Sequence, residues 1–234
     1  MVRPARFADA IEVVYDEQRW KLLSELRGKA KEIMKALARA NIESLVHGSV
    51  ARGDVDKNSD IDIFIPYPLP SYSVELALAD LDLQAIRREI VMATPKQLPK
   101  AHIFFDGNRS VTFPLVRPRK LELEFYFFGG AINIKQIEKG IRSSGVDKRL
   151  MLIEPTPDGH VESPVVGREA EVAKRLRVDM DIVRERVKVL TRRVAVGHTG
   201  VFLQRMLGPN ESFEEVFKKI AETNPAVKSR IKER

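Results

Sequence analysis

The sequence predicts an α/β protein of the α+β kind, a small mixed β-sheet packed by helices and followed by a helical C-terminal region. Three observations predict this. Apolar residues recur at three- and four-residue steps over residues 16–40, Ile61, Ile63 and Ile65 alternate with polar or bulky neighbours, and beyond Gly167 the chain becomes a long basic stretch of helical spacing. Steps of three and four place apolar side chains on one face of a helix, whereas alternation places them on one face of a strand.

In chain order, Trp20, Leu22, Leu23, Leu26, Ala30, Ile33, Met34, Leu37 and Ala38 form the buried stripe of the first helix, and Asn41 is a fitting stop. Residues 42–46 read as a short strand leading into His47-Gly48-Ser49, and residues 61–65 as another, ended by Pro66, Pro68 and Pro70. Residues 74–92 carry a second helical pattern. Residues 101–105 and 110–115 read as a hairpin turned by Asp106-Gly107-Asn108. Residues 120–128 alternate and read as a further strand closed by Gly129-Gly130; residues 131–146 read as a short helix. Residues 149–153 and 160–166 flank Pro155-Thr156-Pro157-Asp158-Gly159, a second hairpin signal. Residues 168–194 read as one long basic helix, and 212–223 as a helix capped by Ser212 with Glu215 three positions on. The charged run 228–234 is expected to fray. The change of texture near residue 167 suggests two parts, 1–167 and 168–234.

The 234-residue chain, 44% apolar and 31% charged, is long and apolar enough for a packed core. No apolar run approaches the roughly 18 residues needed to span a bilayer, and the N-terminal stretch lacks a signal-peptide core. A cytoplasmic protein is expected. With no cysteine, disulfides, zinc–thiolate sites and cysteine nucleophiles are excluded. His47, His102, His160 and His198 are scattered, which argues against a histidine metal site. Abundant Lys, Arg and Glu without Cys would suit a hyperthermophile. A net charge of +7 favours anionic partners, nucleic acid or nucleotide phosphates.

Chemistry concentrates in His47-Gly48-Ser49-Val50-Ala51-Arg52-Gly53 and Ser59-Asp60-Ile61-Asp62-Ile63-Phe64. Glycine at the end of a buried strand lets the backbone turn and lets a phosphate approach. Ser49 offers a hydroxyl and an N–H where a helix N-terminus is expected, and Arg52, one turn on, is in reach of a triphosphate. Asp60 and Asp62, two apart on a strand, project together and repel unless a cation lies between them. Hard oxygen ligands on a rigid frame suit magnesium, which also binds phosphates.

The stretch from His47 to Ile65 resembles the signature of the DNA polymerase β-type nucleotidyltransferase superfamily: Gly-Ser, a spacer of about ten residues, then Asp-hydrophobic-Asp on a strand. Within it the motif looks most like that of archaeal CCA-adding enzymes and small archaeal nucleotidyltransferases. The likeness is strong over residues 42–65, extends to 128 and ends by 167. It implies the nucleotidyltransferase fold, with a nucleoside triphosphate such as ATP held by Gly48 and Ser49 and two Mg2+ ions held by Asp60, Asp62 and a third carboxylate. It implies that a nucleoside monophosphate passes to an acceptor hydroxyl, on RNA of the tRNA kind, with release of pyrophosphate. The third carboxylate is expected from residues 120–128, where one alignment selects Glu124, also as general base, and another Glu122; both depart from the family by being Glu rather than Asp. A protein or small-molecule acceptor, or a non-catalytic nucleotide- or RNA-binding module, are the alternatives. The basic residues of 168–194 are the candidate RNA-binding surface.

Overall fold

A computed structural model describes residues 10–197 and 200–233. His198, the final Arg234 and the first nine residues of the N-terminal reading lie outside the described residues. In chain order the elements are β1 (Ile11–Val14), α1 (Glu17–Arg39), β2 (Leu45–His47), α2 (Ser49–Arg52), β3 (Ile61–Phe64), α3 (Ser71–Leu78) and β4 (Ala85–Met92). There follow β5 (Lys100–Phe105), β6 (Arg109–Pro114), α4 (Lys120–Phe128), β7 (Ala131–Asn133), α5 (Ile134–Glu138), β8 (Gly145–Val146) and β9 (Met151–Thr156). The chain ends with β10 (Gly159–Pro164), α6 (Glu169–Leu176), α7 (Met180–Val196), β11 (Leu203–Met206), α8 (Phe213–Thr223) and α9 (Pro225–Lys232). The mixed α/β architecture is the one expected.

Seven strands form the main sheet in the order β11-β4-β5-β6-β3-β2-β7. Only the β3–β6 pair within it is parallel. Ile61, Ile63 and Ile65 point to one face and are fully buried with Ile33, Met34 and Leu37 of α1. Asp16 caps α1 by accepting the Arg19 N–H at 2.8 Å, and Asn41 ends it in the left-handed region at φ 58°. Phe213, Val216 and Phe217 of α8 and Val227 of α9 complete this core, so the C-terminus returns to the first sheet.

The opposite face of β3 carries Asp60, Asp62 and Phe64, and α4 packs over it: the Tyr126 ring stacks on Phe64 at 3.5 Å with the planes 10° apart. A second core joins Phe128 of α4 to Val146, Leu152, Val165, Val172, Ile182 and Val183. It is built on a four-stranded sheet in the order β1-β10-β9-β8, covered by α6 and α7. This second core holds residues from both sides of position 167.

Several expectations change. Lys120–Phe128 is a helix, not a strand. Its alternation is real, but Leu121, Phe125 and Phe128 also fall at helical steps and serve the second core, while Tyr126 stacks on Phe64 of β3. Glu122 fixes its start by accepting the Arg119 N–H at 2.7 Å. The helix expected over 74–92 ends at Leu78, and Ala85–Met92 instead joins the sheet between β5 and β11. Ladder hydrogen bonds on both sides override the local helical spacing there. Residues 131–146 hold β7, α5 and β8 rather than one helix. The long basic helix is broken at Arg177, which adopts φ 55° and separates α6 from α7. Residues 225–232 form α9 instead of fraying, with Arg230 only 2% exposed. The two hairpins, β5–β6 and β9–β10, and the Ser212 cap of α8, stand as expected.

Candidate active site

Asp60 and Asp62 are exposed on the α4 side of β3 and line a cleft of about 810 Å³. Backbone pairing sets their neighbours: His47 of β2 lies opposite Asp62 on one side and Ser110 of β6 on the other. The Ser110 hydroxyl donates to Asp62 Oδ1 at 2.8 Å. Burial, and then the like charge of Asp62, raise the Asp60 carboxyl above the usual aspartate range, with Lys148 opposing. A carboxylate pair in that state is relieved by a cation.

Gly48 turns the chain out of β2 with φ 79° and ψ −143°, a conformation only glycine adopts readily. A Cβ there would meet nothing within 4 Å, so the backbone faces open space in the cleft. Helix α2 that follows is a single turn, and the Ser49 hydroxyl donates to the Ser59 hydroxyl at 3.1 Å, tying the turn to the loop before Asp60. His47 packs between Phe125, Tyr126 and Gly129; its Nδ1–H donates to the Tyr126 carbonyl at 3.1 Å. Burial and then the nearby Arg52 push its pKa down to about 4, so it stays neutral. Gly129 makes room for it, since a Cβ there would lie 2.3 Å from the imidazole.

Arg52 lines the cleft but is buried and already engaged. Its guanidinium donates to the Gly129 carbonyl at 2.5 Å and to Asp54 at 2.8 Å, which ties it to the loop, while its Nε is buried with no hydrogen-bond partner. The two glutamates are likewise engaged. Glu122 pairs with the buried Arg230 at 2.6 Å. Glu124 accepts the Asp179 N–H at 3.1 Å and pairs with Lys120 at 3.5 Å. Among the described residues no three acids or histidines converge to hold a metal ion. Two aspartates fit one hard cation that brings its remaining oxygens from phosphate and water. They do not fit a second cation that needs a third carboxylate from the protein. The place beside Asp62 on the neighbouring strand is held by Ser110.

The sequence reading missed Ser110, which has no signature of its own and matters only through its register with Asp62. It also merged two stripes of α7. Arg186, Leu190, Arg193 and Val194 line the cleft, whereas Arg184, Lys188 and Arg192 are exposed outside it. Their helical steps would have separated them. Lys148 and Arg149, from the turn before β9, complete the cationic side of the cleft.

A turn that opens a cleft to backbone approach thus stands beside an acidic pair on the next strand. Residues 27–111 match the nucleotidyltransferase domain family. The chain therefore carries a nucleotidyltransferase domain, and the matched segment holds Gly48, Ser49, Asp60 and Asp62 and ends within β6, before Glu122 and Glu124. Among solved structures, one described as the complex structure of CCA-adding enzyme with ATP is similar at 15% identity and a TM-score of 0.33. The similarity covers 94% of this chain and 51% of that one, so the chain spans about half the length of that protein. No curated protein matches the chain. Among the described residues no helix is long and apolar enough to cross a membrane.

Proposed function

We propose that the cleft binds a nucleoside triphosphate with Mg2+ and passes its nucleoside monophosphate to an acceptor hydroxyl on RNA. The observation that carries this is the placement of Asp60 and Asp62 in one cleft with the open backbone of Gly48 and Ser49. In the reaction the acceptor oxygen bonds to the α-phosphorus, the bond to the bridging oxygen breaks, and pyrophosphate leaves while the hydroxyl proton passes to water. A cation bound at Asp60 and Asp62 would offset the charge of the triphosphate and leaving group. Ser110 orients Asp62, and neutral His47 packs the strand end without adding charge. RNA is favoured as acceptor by the exposed basic stripe Arg184, Lys188 and Arg192, beside the cleft on the same helix, and by the net charge of +7.

One observation favours a second reading. With no third carboxylate converging on the pair to hold a metal among the described residues, the same cleft would serve a module that binds the nucleotide without transferring it. Incubation with each labelled triphosphate, Mg2+ and either total RNA or a protein extract separates the two. Transfer predicts label in RNA, abolished in Asp62→Ala and in Asp60→Ala, the latter melting at the wild-type temperature or above because removing its charge relieves the pair. RNA binding should weaken steeply with salt, and further on charge reversal of Arg184, Lys188 and Arg192. Label in protein would move the acceptor; Mg2+-dependent triphosphate binding with no label anywhere would select the binding module.

A further inference from the structure

A second hollow, of about 440 Å³, lies where the β4–β5 connection, the start of α4 and α9 meet, and it shares no lining residue with the cleft. Three cations line it, Lys96, Arg119 and Arg230, against one acid, Glu233, the residue after α9. Arg230 is fixed from behind. Its Nη2 donates to Glu122 at 2.6 Å and to the Arg117 carbonyl at 3.1 Å, which leaves Nη1 facing Glu233 at 3.3 Å. Arg119 is fixed by its Nη1, which donates to the Lys96 carbonyl at 3.0 Å. Its remaining edge, Nε at 3.0 Å and Nη2, donates to Glu233. All these contacts to Glu233 converge on a single oxygen, Oε2. Lys96 is exposed at the rim and has no carboxylate partner among the described residues.

We infer that this hollow is a phosphate-binding seat, held shut by the Glu233 carboxylate as an internal stand-in for the ligand. Two guanidiniums anchored by other bonds and aimed at one point form a fork that suits an oxyanion. A carboxylate meets that point with one oxygen, whereas a phosphate brings a separate oxygen to each arginine. Charge favours the phosphate as well. Glu122 offsets Arg230, so Arg119 and Lys96 are left facing the hollow, and Glu233 offsets only one of them. A phosphate monoester carries about −1.5 to −2 at pH 7 and matches both. The hydrogen bond from Arg119 holds the Glu233 carboxyl below the usual glutamate range, so the plug is an anion at neutral pH. Both side chains of that pair are nearly half exposed, and ion pairs so open to water contribute little, so an incoming phosphate displaces the plug at small cost.

The inference does not depend on the reading of the cleft, and working in chelator leaves no cation there to draw phosphate to Asp60 and Asp62. Calorimetry follows binding of inorganic phosphate to the full chain for wild type, Glu233→Gln, Arg119→Gln and Lys96→Gln. A second arm uses an oligoribonucleotide with or without a 5′-phosphate. All three substituted residues are exposed, so the variants fold, and melting without phosphate verifies it. Glu233→Gln is expected to bind phosphate about fivefold more tightly than wild type, because the internal competitor is gone. Arg119→Gln should weaken binding about tenfold or more, and Lys96→Gln about threefold. A Glu233→Gln protein that binds phosphate no more tightly than wild type overturns the inference, as does binding that survives Arg119→Gln. A gain in Glu233→Gln that extends to the 5′-phosphorylated RNA alone of the two supports the seat and names a terminal phosphate as its source. A gain for RNA with no response to inorganic phosphate would assign the arginines to backbone contacts and overturn it.

Discussion

The Arg230 side chain is 2% exposed, and the Glu122 carboxylate meets it at 2.6 Å. Without Glu122 the arginine keeps only the Arg117 carbonyl at 3.1 Å and the half-exposed Glu233 at 3.3 Å. Glu122→Gln should therefore lower stability by about 1.5–3 kcal/mol, read as a shift in the denaturant midpoint at unchanged slope. Glu124→Gln should cost less than about 1 kcal/mol, because its Lys120 partner is 72% exposed. A Glu124→Gln protein that folds normally yet loses all turnover would return Glu124 to the chemistry. At this scale the sequence was half legible. Asp60 and Asp62 could be read because alternation and the preceding Gly-Ser turn agree on one geometry. Glu122 and Glu124 misled because an alternating stretch of nine residues also satisfies a helix when it is buried on two sides. The roles of Arg52 and Ser110 depend on partners up to 77 residues away, such as Gly129 for Arg52, and no local pattern encodes those.

Between α6 and α7 the chain turns in three residues, with Arg177 in the left-handed region at φ 55°. A side chain pays a steric penalty in that conformation that glycine does not. Arg177→Gly should stabilise the protein by about 0.5–1 kcal/mol, since the exposed side chain has no ion pair among the described residues to lose. A loss of stability in the same thermal melt would mean that the arginine contributes something beyond the turn. Glycine would have announced this break; arginine concealed it, and the two helices read as one. Elements with both period and punctuation, α1 with its Asp16 cap and Asn41 stop or the β5–β6 hairpin with Gly107 and Asn108 at positive φ, were legible throughout. Strands β1, β4 and β11 were not, because long-range pairing selects them: β1 joins β10, about 150 positions later.

Across the whole molecule, two half-buried histidines are held uncharged on the α4 face of the main sheet. Burial pushes His102 down to about 3, with Lys100 and Arg87 adding to it, and His47 to about 4. Both lie below the unfolded value near 6.5, so the unfolded chain binds more protons throughout the interval. Their stabilisation is present above about pH 6.5 and is lost as pH falls toward the folded values. Each should remove about 2 kcal/mol between pH 6.5 and 5, and replacing His102 by Gln should flatten the profile by its own share, leaving His47 and the buried His160, whose pKa is also lowered by burial, to supply the rest. A denaturant midpoint that does not move over that interval would contradict the neutral assignment.

The return of the C-terminus to the main sheet has a consequence for how the chain is made. Strand β4 gains its outer neighbour only when β11 arrives, and the core above α1 is completed only by Phe213 and Val227. During synthesis the acidic pair, the Gly48 turn and six of the seven strands have left the ribosome long before either, and β4 stands for that time as an open edge able to pair with another chain. Folding of the main sheet thus waits on residues 203–227, and the cleft, whose α7 wall also emerges late, takes shape only once those residues have joined it.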